Sequence, residues 1–160
     1  MKIITVRNGK AIMVVYMDGS DNKTIQSKDT PAPEFKDAWE VLALDVKMAL
    51  ATQLGVASAK LDGWNQSHLF TFNKIHFIWG EDEDVPDSYE VWGHHHIVDT
   101  NYDTDVKLAY NFGDKNSPDK AAMAIMREAT LYAEKRRGQT SLFEPDSKED
   151  SENVNGGNEE

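Results

Sequence analysis

Two short apolar runs open the chain, at Ile3–Val6 and Ala11–Tyr16, and polar residues separate them. Both runs are rich in β-branched side chains, which favour strands. The polar residues between them include Asn8 and Gly9, and this dipeptide tolerates the positive φ angles of a two-residue type I′ turn. The pattern therefore predicts an antiparallel hairpin.

Two later segments carry apolar residues at helical spacing. The first follows Pro31–Pro33 and ends before Gly55, because glycine is common just past the last turn of a helix. Its apolar positions recur at steps of three and four residues and comprise Phe35, Ala38, Trp39, Leu42, Val46, Ala49, Leu50 and Leu54. The second begins at Ser117-Pro118 and ends in basic residues before Gly138. Its apolar stripe comprises Ala121, Ala122, Ile125, Met126, Ala129 and Tyr132.

Between the helices, aromatic and β-branched residues dominate three stretches that fit no helical period, residues 68–80, 89–99 and 106–112. Residues 56–67 form a looser stretch to which the pattern assigns no element. The predicted order is β-β-α-β-β-β-α. Two amphipathic helices that cover one face of a largely antiparallel sheet give a two-layer α+β domain, and this is the fold class that we expect.

Length and composition narrow the class of protein. The chain has 160 residues, which suits a single domain, and we assign residues 1–138 to it. The absence of cysteine excludes a disulfide scaffold, a thiol nucleophile and an iron–sulfur site, and it fits a reducing cytoplasm. The first apolar runs are too short for a membrane span or a signal peptide. We therefore expect a soluble cytoplasmic protein with no membrane partner.

The last part of the sequence differs sharply from the rest. Residues 144–160 contain seven acidic residues and one lysine, a net charge of −6 out of −11 for the chain. With one aliphatic side chain, this segment cannot bury enough apolar surface to fold. We expect a disordered acidic tail, which either keeps the protein soluble or recruits partner proteins. The remaining charge of −5 argues against a chain-wide basic surface for nucleic acid.

Three consecutive histidines suggest a metal site. If the predicted hairpin places Trp79 opposite Tyr89, then His76, His94 and His96 share one face of the sheet, with His76 diagonal to His94. Three imidazoles with an open fourth position are a known zinc arrangement. The alternative is a solvated strand face, since a register slip of one residue separates His76 from the pair and no carboxylate stands at ligand spacing.

Aromatic residues in the predicted sheet suggest a second kind of site. Phe70, Phe72 and Trp92 are suitable for stacking on the bases of single-stranded DNA. Aromatic residues at strand spacing are more often part of the core. No GxSxG, Walker A or GxGxxG motif occurs, so the sequence gives no support for nucleophilic hydrolysis or nucleotide binding. We expect a protein that is not an enzyme and that needs no cofactor.

The strongest local signal follows the second long helix. The segment 139–143 reads Gln-Thr-Ser-Leu-Phe and resembles the short peptide by which replication and repair proteins dock on the bacterial β sliding clamp. The resemblance implies that Leu142 and Phe143 enter an apolar pocket and that the Gln139 amide bonds at its rim. Thr140 departs from the family, which often has leucine there. The alternative is that Leu142 and Phe143 fold back and anchor the last helix to the body.

The overall layout also resembles small accessory proteins of bacteriophages and prophages that are encoded beside replication and recombination genes. The resemblance rests on the Asn-Gly hairpin, the helix entered through Pro33 and Phe35, and a last helix that runs into the motif. It implies a role in DNA metabolism and no catalytic activity. Three hypotheses follow from the sequence: an adaptor that docks on the clamp, a single-stranded DNA-binding accessory protein with a recruiting tail, and a histidine-ligated metal protein.

Overall fold

The computed structural model describes residues 1–28, 30–81 and 84–143, and for residues 136–143 it describes the backbone alone. These residues form one six-stranded antiparallel sheet and three α-helices. The predicted α+β class is confirmed. The predicted acidic tail, residues 144–160, lies outside the described residues.

The chain runs through three strands, two helices, three further strands and a last helix. The elements are β1 (Lys2–Asn8), β2 (Ile12–Asp18), β3 (Asp21–Ser27), α1 (Pro33–Gln53), α2 (Leu61–Ser67), β4 (His68–Ile78), β5 (Ser88–Ile97), β6 (Asp103–Asn111) and α3 (Asp119–Phe143). A 3₁₀ turn at Ser58–Lys60 precedes α2. Two of these elements, β3 and α2, are additional to the predicted order.

Both unpredicted elements lack the apolar pattern by which the others were found. Strand β3 reads DNKTIQS, with Ile25 as its one aliphatic residue, because it lies at an edge of the sheet and has little to bury. Helix α2 spans seven residues, none of them buried. Short, mostly polar segments of this kind contain too few apolar positions for a period to be recognised.

The turns of the first three strands differ from the prediction. Neither Asn8 nor Gly9 has a positive φ, and β1 and β2 pair from Asn8 to Ile12 across three residues, so the predicted type I′ turn is wrong. The tight two-residue turn is instead Gly19-Ser20, which joins β2 to β3. Gly19 has a φ of 68°, as the first central position of a type II′ turn requires.

The sheet consists of two three-stranded meanders joined at their first strands. Its order is β3-β2-β1-β4-β5-β6, so β1 and β4 form the central pair. Each meander is followed by a long helix, and the helices are exchanged: α1 packs on β4, α3 packs on β1, and the two helices pack on each other. Both therefore lie on one face of the sheet, which we call the helix-covered face. The other face, which no described helix covers, is called the uncovered face.

The core lies between the two long helices and the central strands. The apolar stripes predicted for the helices are buried at most positions, although Leu54 is exposed. From the sheet, the core takes alternate residues, among them Val6, Val14, Ile75 and Val91. The predicted end of α1 is confirmed, since Gly55 has a φ of 71° and its N–H, with that of Val56, bonds to carbonyls of the last turn.

The start of α3 is fixed by its first residue, Asp119. The buried Tyr89 hydroxyl donates to Asp119 Oδ1 at 2.7 Å, and the Gly113 N–H donates to Asp119 Oδ2 at 2.7 Å. Burial is the main cause that raises the pKa of Tyr89, and the Asp119 carboxylate adds to it. One carboxylate thus ties the last helix both to a central core residue and to the loop that precedes it. At its other end, α3 continues five residues past the predicted stop at Gly138.

Strand β4 contains an irregularity that changes its pairing with β5. Phe77 lies opposite Tyr89, two residues from the predicted pairing, and the register shifts between Phe72 and Lys74. Beside this bulge, Gly93 lies opposite Phe72. A Cβ atom on Gly93 would lie 1.9 Å from the Thr71 carbonyl oxygen and 2.8 Å from the Phe72 Cα. Both are backbone atoms of the paired strand, so no side-chain rotation relieves the contact.

We expect Gly93→Ala to destabilise the fold by about 3 kcal/mol, because the paired strands β4 and β5 must move apart. The free energy of unfolding, measured by urea denaturation, checks this value. Gly63→Ala is the matched control, since a Cβ there meets nothing within 4 Å. In helix α2 this change should be neutral or stabilising by up to about 1 kcal/mol. Equal stability of the two variants would contradict this steric role of Gly93.

Candidate functional site

The three histidines of the predicted metal site lie on one face but not at one place. His76, His94 and His96 all project from the uncovered face, as predicted. However, His76 pairs with Glu90, four residues along β5 from His94, a separation of about 13 Å at 3.3 Å per residue. The physical reason is the register, which differs by two residues from the expected one. The structure therefore does not assemble the predicted three-histidine site.

Each of these histidines has a different neighbour. The His76 ring shares a hydrogen bond with the Thr5 hydroxyl at 2.8 Å, and His96 Nδ1 bonds to the Tyr102 carbonyl at 2.9 Å. His94 Nδ1 lies 3.2 Å from Asp105 and 3.5 Å from a second carboxylate, that of Asp103. Among residues 1–28, 30–81 and 84–143, no group of three or more potential ligands has the geometry to hold a metal ion.

The three aromatic residues predicted to stack on bases are divided between the two faces. Phe72 is buried in the core, and Phe70 is half-buried on the same helix-covered face. Trp92 projects from the uncovered face, where two ammonium groups lie over its ring, Lys74 at 4.3 Å and Lys107 at 5.1 Å. Lys107 also pairs with Glu90 at 3.4 Å. The three aromatics do not form one stacking platform.

A cluster of aromatic rings and imidazoles, which the sequence pattern did not indicate, lies at one end of the helix-covered face. Phe70 stacks on His95 at 4.2 Å between ring centroids, and Trp64 stacks on His68 at 4.6 Å. The two imidazoles share a hydrogen bond of 2.9 Å between His68 Nδ1 and His95 Nε2, and Tyr102 meets the edge of His95. We call these five residues the imidazole cluster. It joins the short helix α2 to the ends of β4 and β5.

The electrostatics of the imidazole cluster disfavour a charge on His95. Burial is the largest cause that lowers the pKa of His95, and the neighbouring His68, His96 and Lys47 lower it further. Burial also lowers the pKa of Lys47, which approaches from α1. The hydrogen bond between the two rings needs one nitrogen to donate and the other to accept, so it is lost when both imidazoles are protonated. The alternation of residues 93–97 placed His95 on the core side, and this was the signal that could have found the cluster.

The clamp-like motif occupies the last described turn of α3. The bounds of α3, Asp119–Phe143, include Gln139, Leu142 and Phe143, whereas the sequence had placed the motif after the end of the helix. The side chains of these residues lie outside what the structure describes. The last described buried residue of α3 is Ala133, and Glu134 and Lys135 after it are exposed.

Comparison of the chain with protein-family models, with curated protein sequences and with solved structures finds no match. The described helices include none with an apolar stretch long enough to cross a membrane. The assignment of a function therefore depends on the residues themselves.

Acidification should destabilise the protein through the imidazole cluster. Because the pKa of His95 is lower in the folded chain than in the unfolded chain, the unfolded state binds more protons as the pH falls below about 6.5. The stability contributed by neutral His95 is thus complete above that pH and is lost as the pH falls through the folded pKa. We expect the thermal midpoint of His95→Phe, which keeps the ring stacking, to depend less on pH between 7 and 5 than that of the wild type. Parallel curves for the two proteins would contradict this role.

Proposed function

We propose that this protein is a non-enzymatic adaptor that docks on the bacterial β sliding clamp through Gln139, Leu142 and Phe143. The setting we infer is DNA replication or recombination directed by a bacteriophage or prophage, in the cytoplasm of the bacterial host. In this proposal the folded body is the cargo that the motif holds at the clamp, and the acidic tail recruits further replication or recombination proteins.

The place of the motif on α3 is the observation that carries the proposal. The helix is packed against the body up to Ala133, and the next two residues are exposed. At about 1.5 Å of rise per residue, Gln139 begins about 9 Å further along the helix axis. A motif that starts six residues after the last described buried position of a helix is suited to enter a partner's pocket while the body stays folded.

The chemistry of the motif fits a small, deep pocket. Leu142 and Phe143 are adjacent apolar side chains, and large apolar anchors that fill a pocket supply most of the binding energy of short peptides. The Gln139 amide both donates and accepts hydrogen bonds, which suits a polar rim. A peptide that must be ordered on binding loses part of this energy, so the affinity expected is micromolar rather than nanomolar.

The positions of Phe70, Phe72 and Trp92 in the fold weaken the hypothesis that the protein binds single-stranded DNA. Of its three aromatic residues, only Trp92 projects from the uncovered face, and the acidic side chains of Glu90, Asp103 and Asp105 lie on that same face. The ammonium groups of Lys74 and Lys107 lie over the Trp92 ring, and a single ring offers no row of stacking positions for successive bases. The adaptor proposal does not depend on this face.

Binding to a purified bacterial sliding clamp, measured by surface plasmon resonance, tests the proposal. We expect micromolar binding by the full-length protein and at least about tenfold weaker binding by Leu142→Ala/Phe143→Ala, because both pocket anchors are removed. Leu131→Ala is the matched control, since Leu131 is an exposed leucine of the same helix, 53% accessible and outside the motif. Binding that is absent in the wild type, or equal in the wild type and the double variant, would contradict the adaptor function.

The helical state of the motif leads to a second expectation. An extended peptide in the pocket requires the end of α3 to unwind, and Gly138 makes unwinding easy because glycine disfavours helix relative to alanine by about 1 kcal/mol. Gly138→Ala should therefore weaken clamp binding by up to about fivefold. The same affinity measurement decides the question. Unchanged or tighter binding would show that the motif docks as a helix.

A further inference from the structure

Strand β6 ends the sheet with a long regular edge. It pairs with β5 at nine successive positions without a shift in register, and the sheet order ends with it. Within the described parts of the chain, no strand pairs with its outer side. A regular edge of this length presents a row of free backbone groups to another strand.

The direction of the free backbone groups follows from the hydrogen bonds at the two ends of β6. The Tyr102 carbonyl accepts from Ile97, and the Phe112 N–H donates to Asp87, so the even-numbered positions face β5. In an antiparallel pair, successive residues alternate between facing the partner strand and facing away from it. The N–H and C=O groups of Asp103, Asp105, Lys107, Ala109 and Asn111 therefore point outward.

The side chains along this edge restrict how a second β6 could pair with it. The odd-numbered residues project from the uncovered face, with Asp105 largely exposed and Lys107 half exposed. In an antiparallel pairing of two identical strands centred on Val106, Asp105 lies opposite Lys107 of the second copy, twice. Centring the pair on Asp105 places two carboxylates opposite each other, and centring it on Lys107 places two ammonium groups opposite each other. One register alone has opposite charges and no like pair at its centre.

We propose that two copies of this chain associate through β6, antiparallel and centred on Val106, to form one continuous twelve-stranded sheet. The twofold axis keeps the helices of both copies on one face, since residues directly opposite each other share a face. The backbone groups of Asp105 and the partner subunit's Lys107 exchange hydrogen bonds while their side chains pair. On the helix-covered face, the half-buried Val106 contacts Val106 of the partner subunit, and this contact removes apolar surface from water.

The same lysine limits the strands with which this edge can pair. A lysine in the middle of an edge strand commonly prevents aggregation, because pairing leaves its charge without a partner. Here Lys107 penalises the register centred on itself and favours the one that brings it to Asp105. This proposal is independent of clamp docking, because it uses no residue of the motif.

Sedimentation equilibrium of the full-length protein tests this association. We expect a wild-type dimer with a dissociation constant of about 1–100 µM, in the range of small transient interfaces. Asp105→Lys alone and Lys107→Glu alone each turn both attractive pairs into repulsive ones, so each should weaken the dimer by at least about tenfold. An equimolar mixture of the two variants restores opposite charges at both positions and should form a heterodimer of near wild-type affinity.

Further measurements separate loss of the dimer from misfolding and from a change of charge elsewhere on the protein. Circular dichroism of each variant checks the fold, and the mixture itself does so, since unfolded chains do not recover a specific dimer. Ala109→Pro, which removes an outward N–H and no bond to β5, should also weaken the dimer. Lys23→Glu, on the opposite edge strand, should leave it unchanged. A monomeric wild type, a dimer insensitive to both charge changes, or a mixture that stays monomeric would overturn the proposal.

Discussion

The fold depends on the pairing of β1 with β4, the one place where the two meanders meet within the sheet. The pairing joins Thr5 to His76, Val6 to Ile75 and Arg7 to Lys74. The two long helices reinforce this short seam, because α1 and α3 each pack on the first strand of the other meander and on each other. Neither half can bury its own apolar strand face without the helix of the other half. The exchange therefore makes one cooperative unit out of two similar halves.

The two faces of the sheet have different roles as a result. The helix-covered face holds the apolar core, and at its open end the imidazole cluster replaces apolar packing by stacked rings and one hydrogen bond. The uncovered face carries charged and polar side chains in small paired groups. Examples are Lys107 with Glu90 and His94 with Asp105. Exposed ion pairs of this kind contribute little to the free energy of unfolding. The residues of this face can therefore change to suit a binding partner with little effect on the fold.

The sequence was informative wherever a local period decides the outcome. The period of α1 and the glycine at position 55 predicted a helix and its end, because both depend on the residues of one segment. Strand β3 was not found, since an edge strand needs no apolar alternation. The histidines illustrate the limit most clearly. Alternation predicted the shared face of His76 and His94, but their distance along the strands depends on the register of β4 against β5, which alternation does not specify.

The central seam also governs the order in which the protein can be completed during synthesis. Thr5 and His76, which meet at the seam, are 71 positions apart in the chain. At ribosomal rates of about 5–20 residues per second, the edge of β1 that pairs with β4 remains without its partner strand for roughly 4–14 s. During that time the first meander and α1 expose the apolar surfaces that β4 and α3 later cover. The nascent chain is thus most prone to wrong association early, before the second half has left the ribosome.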